Sequence, residues 1–218
     1  LAALLLTASL ASADTIVAWD TFGVDGAAAF VAPGTTAANI TGLNITRGAG
    51  LTGVSASNTF NSSGWDTAAA DDFVQLGFNV TAGLPWIVDT IRMGTRSSGT
   101  GPGFVNVTAS VDGGAFFTVT TLTQPDAMFI NPIVNINRTV NSSLVIRFVT
   151  ANLTAANGGT IASGGTWRIG DYLNPSTGQF EDIIISGRVV PEPASVVLCG
   201  LGLVGVVVVA RSRRKASA

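Results

Sequence analysis

In the runs 73–80, 104–111 and 115–120 the side chains alternate with a period of two, and that confines these runs to extended structure. Val74, Leu76, Phe78 and Val80 alternate with Phe73, Gln75, Gly77 and Asn79. Val105, Val107, Ala109 and Val111 then share one face of a second run. Successive side chains of a strand point to opposite faces, so a period of two places one apolar row on a core. Asp112-Gly113-Gly114 separates this run from Ala115-Phe116-Phe117-Thr118-Val119-Thr120. Asp-Gly between alternating runs is a hairpin signal, because both residues tolerate the positive φ that a tight turn demands.

The same pattern predicts further strands at 15–19, 39–47, 86–95, 130–138, 143–150, 165–169 and 180–189. Gly-, Pro- and Asn-rich turns join them, and no long stretch shows the 3.6-residue period of a helix. About ten short strands predict an all-β fold, a β-sandwich of jelly-roll-like kind, with a closed barrel as the alternative. No fixed-period repeat supports a solenoid or a propeller.

Residues 14–188 would form this one extracytoplasmic domain. They contain no Lys and no His, and seven arginines face twelve carboxylates for a net charge of −5. An acidic body lacks the basic footprint that nucleic acid requires. Absence of His removes Ser-His-Asp and Cys-His catalysis and histidine zinc sites. The single cysteine, Cys199, lies outside this segment, so the body has no disulfide.

The two ends carry different information. Residues 1–10 are apolar, and Ala11-Ser12-Ala13 precedes Asp14 in a small-x-small pattern. Residues 1–13 therefore read as the end of a secretory signal peptide, with cleavage at Ala11 and Ala13, whose initiator Met and basic n-region are missing. Residues 194–210 carry no charge and are rich in Val, Leu and Gly. As a helix they would span roughly 25 Å, near the lower limit for a bilayer core. Arg211, Arg213, Arg214 and Lys215 follow directly. Such a cluster favours the cytoplasmic side, so residues 194–210 read as a single C-terminal transmembrane helix with its basic end inside and the body outside. The alternative for 194–210 is a buried core segment, which leaves the basic cluster unexplained.

Val190-Pro191-Glu192-Pro193, the apolar span and the basic cluster, in that order, resemble the PEP-CTERM sorting tail of bacterial surface and secreted proteins. The resemblance covers residues 189–215. It implies an exosortase-type sorting enzyme as partner, processing near Pro191 to Pro193, and an exopolysaccharide-producing host. Within the body, Asn61-Ser62-Ser63-Gly64-Trp65 and Gly165-Thr166-Trp167-Arg168-Ile169 also resemble the bodies carried on such tails. That resemblance implies a carbohydrate-binding-like sandwich. The expectation is an exported, non-enzymatic surface or matrix protein, inner-membrane anchored before delivery to the envelope or matrix, that binds or organises exopolysaccharide.

Trp65 lies in a loop and is the leading ligand-binding candidate, since an exposed indole can stack on a sugar ring. Trp86 and Trp167 fall within strand patterns and are expected in the core. No cofactor is required by any motif. Ca²⁺ could be held by Asp66, Asp71 and Asp72, or by Asp171 and Glu181 with Asp182, although the spacing is not that of an EF-hand loop. The rival function is a carbohydrate-active hydrolase using an Asp/Glu pair. Glu181 and Asp182 are adjacent on a predicted strand and face opposite ways, so only Asp171 with Glu181 stays open as such a pair.

Overall fold

The computed structural model describes residues 13–190. The signal residue Ala11, the motif residues Pro191, Glu192 and Pro193, the span 194–210 and the basic residues Arg211, Arg213, Arg214 and Lys215 lie outside the described residues. Among the described residues no helix is long and apolar enough to cross a membrane.

The strands in chain order are β1 (Asp14–Trp19), β2 (Thr35–Thr36), β3 (Ile40–Arg47), β4 (Thr52–Gly53), β5 (Thr59–Ser63) and β6 (Phe73–Val80). Then come β7 (Trp86–Arg92), β8 (Gly94–Ser97), β9 (Phe104–Val111), β10 (Phe117–Thr123), β11 (Phe129–Ile130) and β12 (Ile133–Val140). The last are β13 (Ser143–Thr150), β14 (Trp167–Gly170), β15 (Tyr172–Leu173), β16 (Phe180–Glu181) and β17 (Ile183–Val189). They make a first sheet in the order β12-β7-β17-β1-β2, a second in the order β10-β9-β13-β6-β3, a third in the order β11-β8-β14-β5-β4, and a β15-β16 ribbon.

The long strands divide between two sheets: β1, β7, β12 and β17 lie in the first, and β3, β6, β9, β10 and β13 in the second, so the chain crosses between them repeatedly. Repeated crossing between two packed sheets, broken by the β3–β6 and β9–β10 pairings within the second sheet, is the mark of a jelly-roll-like sandwich. The Trp19 indole of β1 donates to the Leu43 carbonyl of β3 at 2.9 Å, joining the first sheet to the second. Phe148 of β13 packs on Trp167 of β14 with centroids 5.3 Å apart, joining the second to the third. The second sheet thus faces both others across one continuous apolar core. Open edges at β2 and β12 exclude the closed-barrel alternative for the first sheet.

The alternating runs became strands for the expected reason. Val74, Leu76 and Phe78, and Val105, Val107 and Ala109, are buried, while Gln75 and Asn106 are only partly so. Asp112 (φ 53°) and Gly113 (φ 74°) make the hairpin turn between β9 and β10. Three expectations need correction. The run 130–138 is not one strand: Ile130 pairs with β8 in the third sheet, and from Ile133 the chain pairs with β7 in the first. The run 86–95 is not one strand: it leaves the first sheet at Arg92 and enters the third at Gly94, with buried Met93 at the corner. The run 180–189 divides at Asp182, because Phe180 and Glu181 pair with β15 and the remainder with β1 and β7.

β5 was not expected, because Thr59-Phe60-Asn61-Ser62-Ser63 has no apolar alternation. Phe60 enters the core, and Asn61 is covered by the segment after β1. A Cβ on Gly26 would lie 2.8 Å from the Asn61 Cβ, so only glycine allows this cover. Arg47 holds it in place, donating from Nε to Ser62 Oγ (2.8 Å), from Nη1 to the Ala28 carbonyl (2.6 Å), and from Nη2 to the Asn61 (2.7 Å) and Gly26 carbonyls.

Candidate functional site

Three exposed or partly exposed phenylalanines stand around one cleft. Phe22, Phe129 and Phe180, with Leu173, line a cavity of about 330 Å³ whose polar lining is Ser57, Asn58, Asn131 and Asp171. Phe22 is 77% exposed and Phe180 72% exposed, against the usual tendency of phenylalanine to be buried.

Local chemistry presents each ring. After β1, the Asp20 carboxylate accepts from the Phe22 amide at 2.7 Å, turning the chain so that residue 22 sits at its apex. Gly23 follows with φ 78°, a conformation suited to glycine, and its amide donates to Asn58 Oδ1 at 2.8 Å. This ties the Phe22 turn to the start of β5. Phe180 is placed opposite Leu173 by the β15-β16 ribbon, and the Leu173 amide donates to Asn131 Oδ1 at 2.8 Å. Phe129 sits on β11 at the edge of the third sheet, opposite Arg96.

Asp171 is the acidic group of the cleft. Its Oδ1 accepts from the Thr21 amide (2.9 Å) and the Thr21 hydroxyl (2.6 Å). Burial raises its pKa above the ordinary aspartate value, the Thr21 hydrogen bonds oppose that rise, and the charges of Asp20 and Asp182 add to it. Asp182 is also raised, first by burial and then by Asp20, with Arg92 opposing.

The positions singled out from sequence fare differently. Trp65 is 0% exposed: Gly64, at φ 92°, turns the loop inward, the indole donates to the Ser62 carbonyl at 2.9 Å, and the ring meets Trp167 edge-on at 5.8 Å. It is a core residue and offers no face to a ligand, which corrects the expectation. Trp86 and Trp167 are buried as expected.

The carboxylates proposed for Ca²⁺ do not assemble. Among the described residues no group of three or more His, Cys, Asp or Glu side chains could hold a metal ion. Asp72 is 2% exposed and spends Oδ2 on its own loop, accepting from Thr67 Oγ1 (2.5 Å) and the Ala69 amide (2.7 Å). Asp66 is partly exposed and Asp71 exposed on that loop. Glu181 has both oxygens engaged, Oε1 by Asn174 Nδ2 at 2.6 Å and Oε2 by the Arg92 guanidinium at 2.9 Å. Asp171 alone of the six lines the cleft.

Sequence reasoning missed Phe22, Phe129 and Phe180. For Phe22 and Phe129 the signal was negative, aromatic residues in Gly-, Asp- and Asn-rich connections; Phe180 opens a predicted strand, and nothing local marks it as exposed.

The fold defines a jelly-roll β-sandwich with an aromatic cleft at one end. The chain carries a PEP-CTERM sorting tail: the PEP-CTERM protein-sorting motif matches residues 189–215. No curated protein matches the chain. Among solved structures, a mutant family 29 carbohydrate-binding module complexed with mannohexaose is 12% identical over 81% of this chain and 93% of its own, with a TM-score of 0.44. Another mutant of a family 29 module is 14% identical over 80% and 92%, also with a TM-score of 0.44. These scores lie below 0.5, and the chemistry of the cleft rests on this chain's own residues.

Proposed function

We propose that this chain is an exported, non-enzymatic surface or matrix protein that holds exopolysaccharide in the cleft of Phe22, Phe129 and Phe180. The tail would be processed by an exosortase-type enzyme after 194–210 has held the body on the outer side of the inner membrane. One observation carries the binding reading: two phenylalanines more than 70% exposed and a third half-exposed surround a mainly apolar cavity with a few polar groups in its wall. Exposed aromatic faces attract the C–H faces of sugar rings, and Asn58, Asn131 and Asp171 supply hydrogen-bonding groups for hydroxyls. A conformation with so much apolar surface in water is retained where a partner covers it.

A second reading, a hydrolase using the Asp171/Glu181 pair, is favoured by the raised pKa of Asp171, because an acid must be protonated to protonate a leaving group. The binding reading is preferred because Asp171 Oδ1 is already bound by Thr21 and Glu181 is committed to Arg92 and Asn174.

The test is sedimentation of residues 14–190, which include every described strand, with the host's exopolysaccharide, while released reducing sugar is assayed in the same tubes. Saturable binding that is lost in F22A/F180A, without sugar release, is expected. Sugar release that disappears in D171N would transfer the cleft to the hydrolase reading. No binding, or binding indifferent to F22A/F180A, would refute the assignment.

A further inference from the structure

Two arginines stand side by side against Phe129, a wall of this cleft, with no ion-pair partner among the described residues. Arg168 of β14 is the direct cross-strand partner of Arg96 of β8, and Arg96 is in turn the partner of Phe129. Directly opposed residues of antiparallel strands project to the same face, so Phe129, Arg96 and Arg168 form one row. Both guanidinium groups approach the Phe129 ring, with Cζ 5.6 Å (Arg96) and 6.0 Å (Arg168) from its centroid. Phe129 also lines the cleft, so the arginine pair and the cavity share a wall.

The pair is electrostatically unfinished. Like charges directly opposed across strands repel. Burial, and then the Arg96 charge, lower the pKa of Arg168. Among the described residues the ion pairs are Arg92 with Glu181 and Arg188 with Asp89, and neither involves this pair. The Nε atoms of Arg96 and Arg168 are both buried without a hydrogen-bond partner. Although the body carries twelve carboxylates, none is paired with these two cations.

We propose that Arg96 and Arg168 form an anion subsite of the cleft, so that the polymer it takes is an acidic polysaccharide whose carboxylate or sulfate ester sits on the two guanidinium groups. This rests on the polysaccharide reading of the cleft. The sugar ring packs on the phenylalanines while its anionic group takes the paired N–H donors, a geometry in which arginine binds planar oxyanions in bidentate fashion. The body's net charge of −5 repels a polyanion at long range, but that field is screened beyond about 8 Å at physiological salt. Recognition therefore depends on contact with the pair rather than on steering.

The experiment measures affinities of the full chain in detergent micelles for alginate, for the same alginate with its carboxyls reduced to alcohols, and for dextran sulfate. Wild type, F22A/F180A, R96Q/R168Q and the single variant R168Q are compared. Alginate is expected to bind about tenfold tighter than its carboxyl-reduced form, a preference abolished in R96Q/R168Q and reduced in R168Q. A comparable preference for dextran sulfate alone would assign the subsite to sulfate esters. Because the readout is a ratio, a general loss of folding lowers both affinities and does not mimic loss of discrimination. Equal binding of the native and reduced polymers by wild type, with loss in F22A/F180A, would overturn the anion subsite and leave the cleft assignment standing. Binding unaffected by F22A/F180A would overturn the cleft assignment itself. A preference for alginate that survives R96Q/R168Q would place acid recognition elsewhere.

Discussion

Replacing Arg47 by methionine should damage the protein well beyond the loss of one surface charge. The guanidinium donates to Ser62 Oγ and to the carbonyls of Ala28, Gly26 and Asn61, and it lies 3.6 Å from the centroid of the Phe60 ring. Burial lowers its pKa to about 10, so it remains charged at neutral pH. Methionine keeps the apolar stem and the packing on Phe60, so the change isolates the polar hub. Hydrogen bonds from a charged donor contribute about 1.5–3 kcal/mol each, but those sharing one group are not additive. Three carbonyls would lose a donor together, and water can reach some of them because the site is only half-buried. The expected loss is about 3–5 kcal/mol, comparable to breaking a buried polar network. For a domain of this size that corresponds to a fall in Tm of roughly 6–20 °C. Chemical denaturation followed by tryptophan fluorescence, with Trp19, Trp65 and Trp167 all buried, would report it. R47K should recover part of the loss, since an ammonium keeps the charge but cannot reach four acceptors in a fixed fork. A destabilisation below about 1 kcal/mol in R47M would refute the reasoning, because it would mean that the segment after β1 is held without the hub.

Other consequences are as direct. Asp112→Ala removes the carboxylate that accepts from the amides of Asn141, Ser142 and Ser143, and places alanine at φ 53°; a loss of about 1–2 kcal/mol is expected in urea melts. Burial opposes ionisation of Asp112, but those amides and Asn141 outweigh it and hold its pKa below the ordinary value, so its contribution is present above pH 3.8 and is lost as the pH falls through the folded pKa. Asp171 and Asp182 have the opposite sign: their folded pKa values are raised, so the stability they contribute is full below pH 3.8 and is lost as the pH rises through those folded values. D182N should therefore flatten the pH dependence of the urea midpoint just above pH 3.8, and an unchanged profile would contradict the shift. Trp65→Ala should cost about 3–5 kcal/mol yet leave polymer affinity per folded molecule unchanged, whereas a ligand-stacking tryptophan would show the reverse. Chelation should leave Tm unchanged, since Asp72 is engaged with Thr67 and Ala69; a fall in Tm on adding EDTA would restore a Ca²⁺ site.

Legibility followed the physics of each signal. β6, β9 and β13 were readable because each has one face on the core and a period of two along the chain. The hairpin at Asp112 and Gly113 was readable because two consecutive positive φ values admit few residues. β5 was not, because its burial comes from the segment after β1 lying over Asn61 and from Arg47, groups distant in sequence. The break at Met93 was hidden for a related reason: a strand that changes sheets stays apolar and extended on both sides of the corner. Trp65 was misplaced because a loop position suggests exposure, while the turn at Gly64 folds the ring beneath the third sheet.

What the sequence determined by itself was everything carried by a contiguous pattern: strands, the hairpin, the absence of histidine chemistry, and the sorting tail at residues 189–215. Tertiary structure alone decided which aromatics reach the surface and which charges meet. Phe22, Phe129 and Phe180 are more than a hundred and fifty residues apart at their extremes, and Arg96 meets Arg168 only because β8 pairs with β14. A local pattern records the face a residue presents, but convergence of several faces on one cleft depends on strand order, and strand order is set by burying the whole core at once.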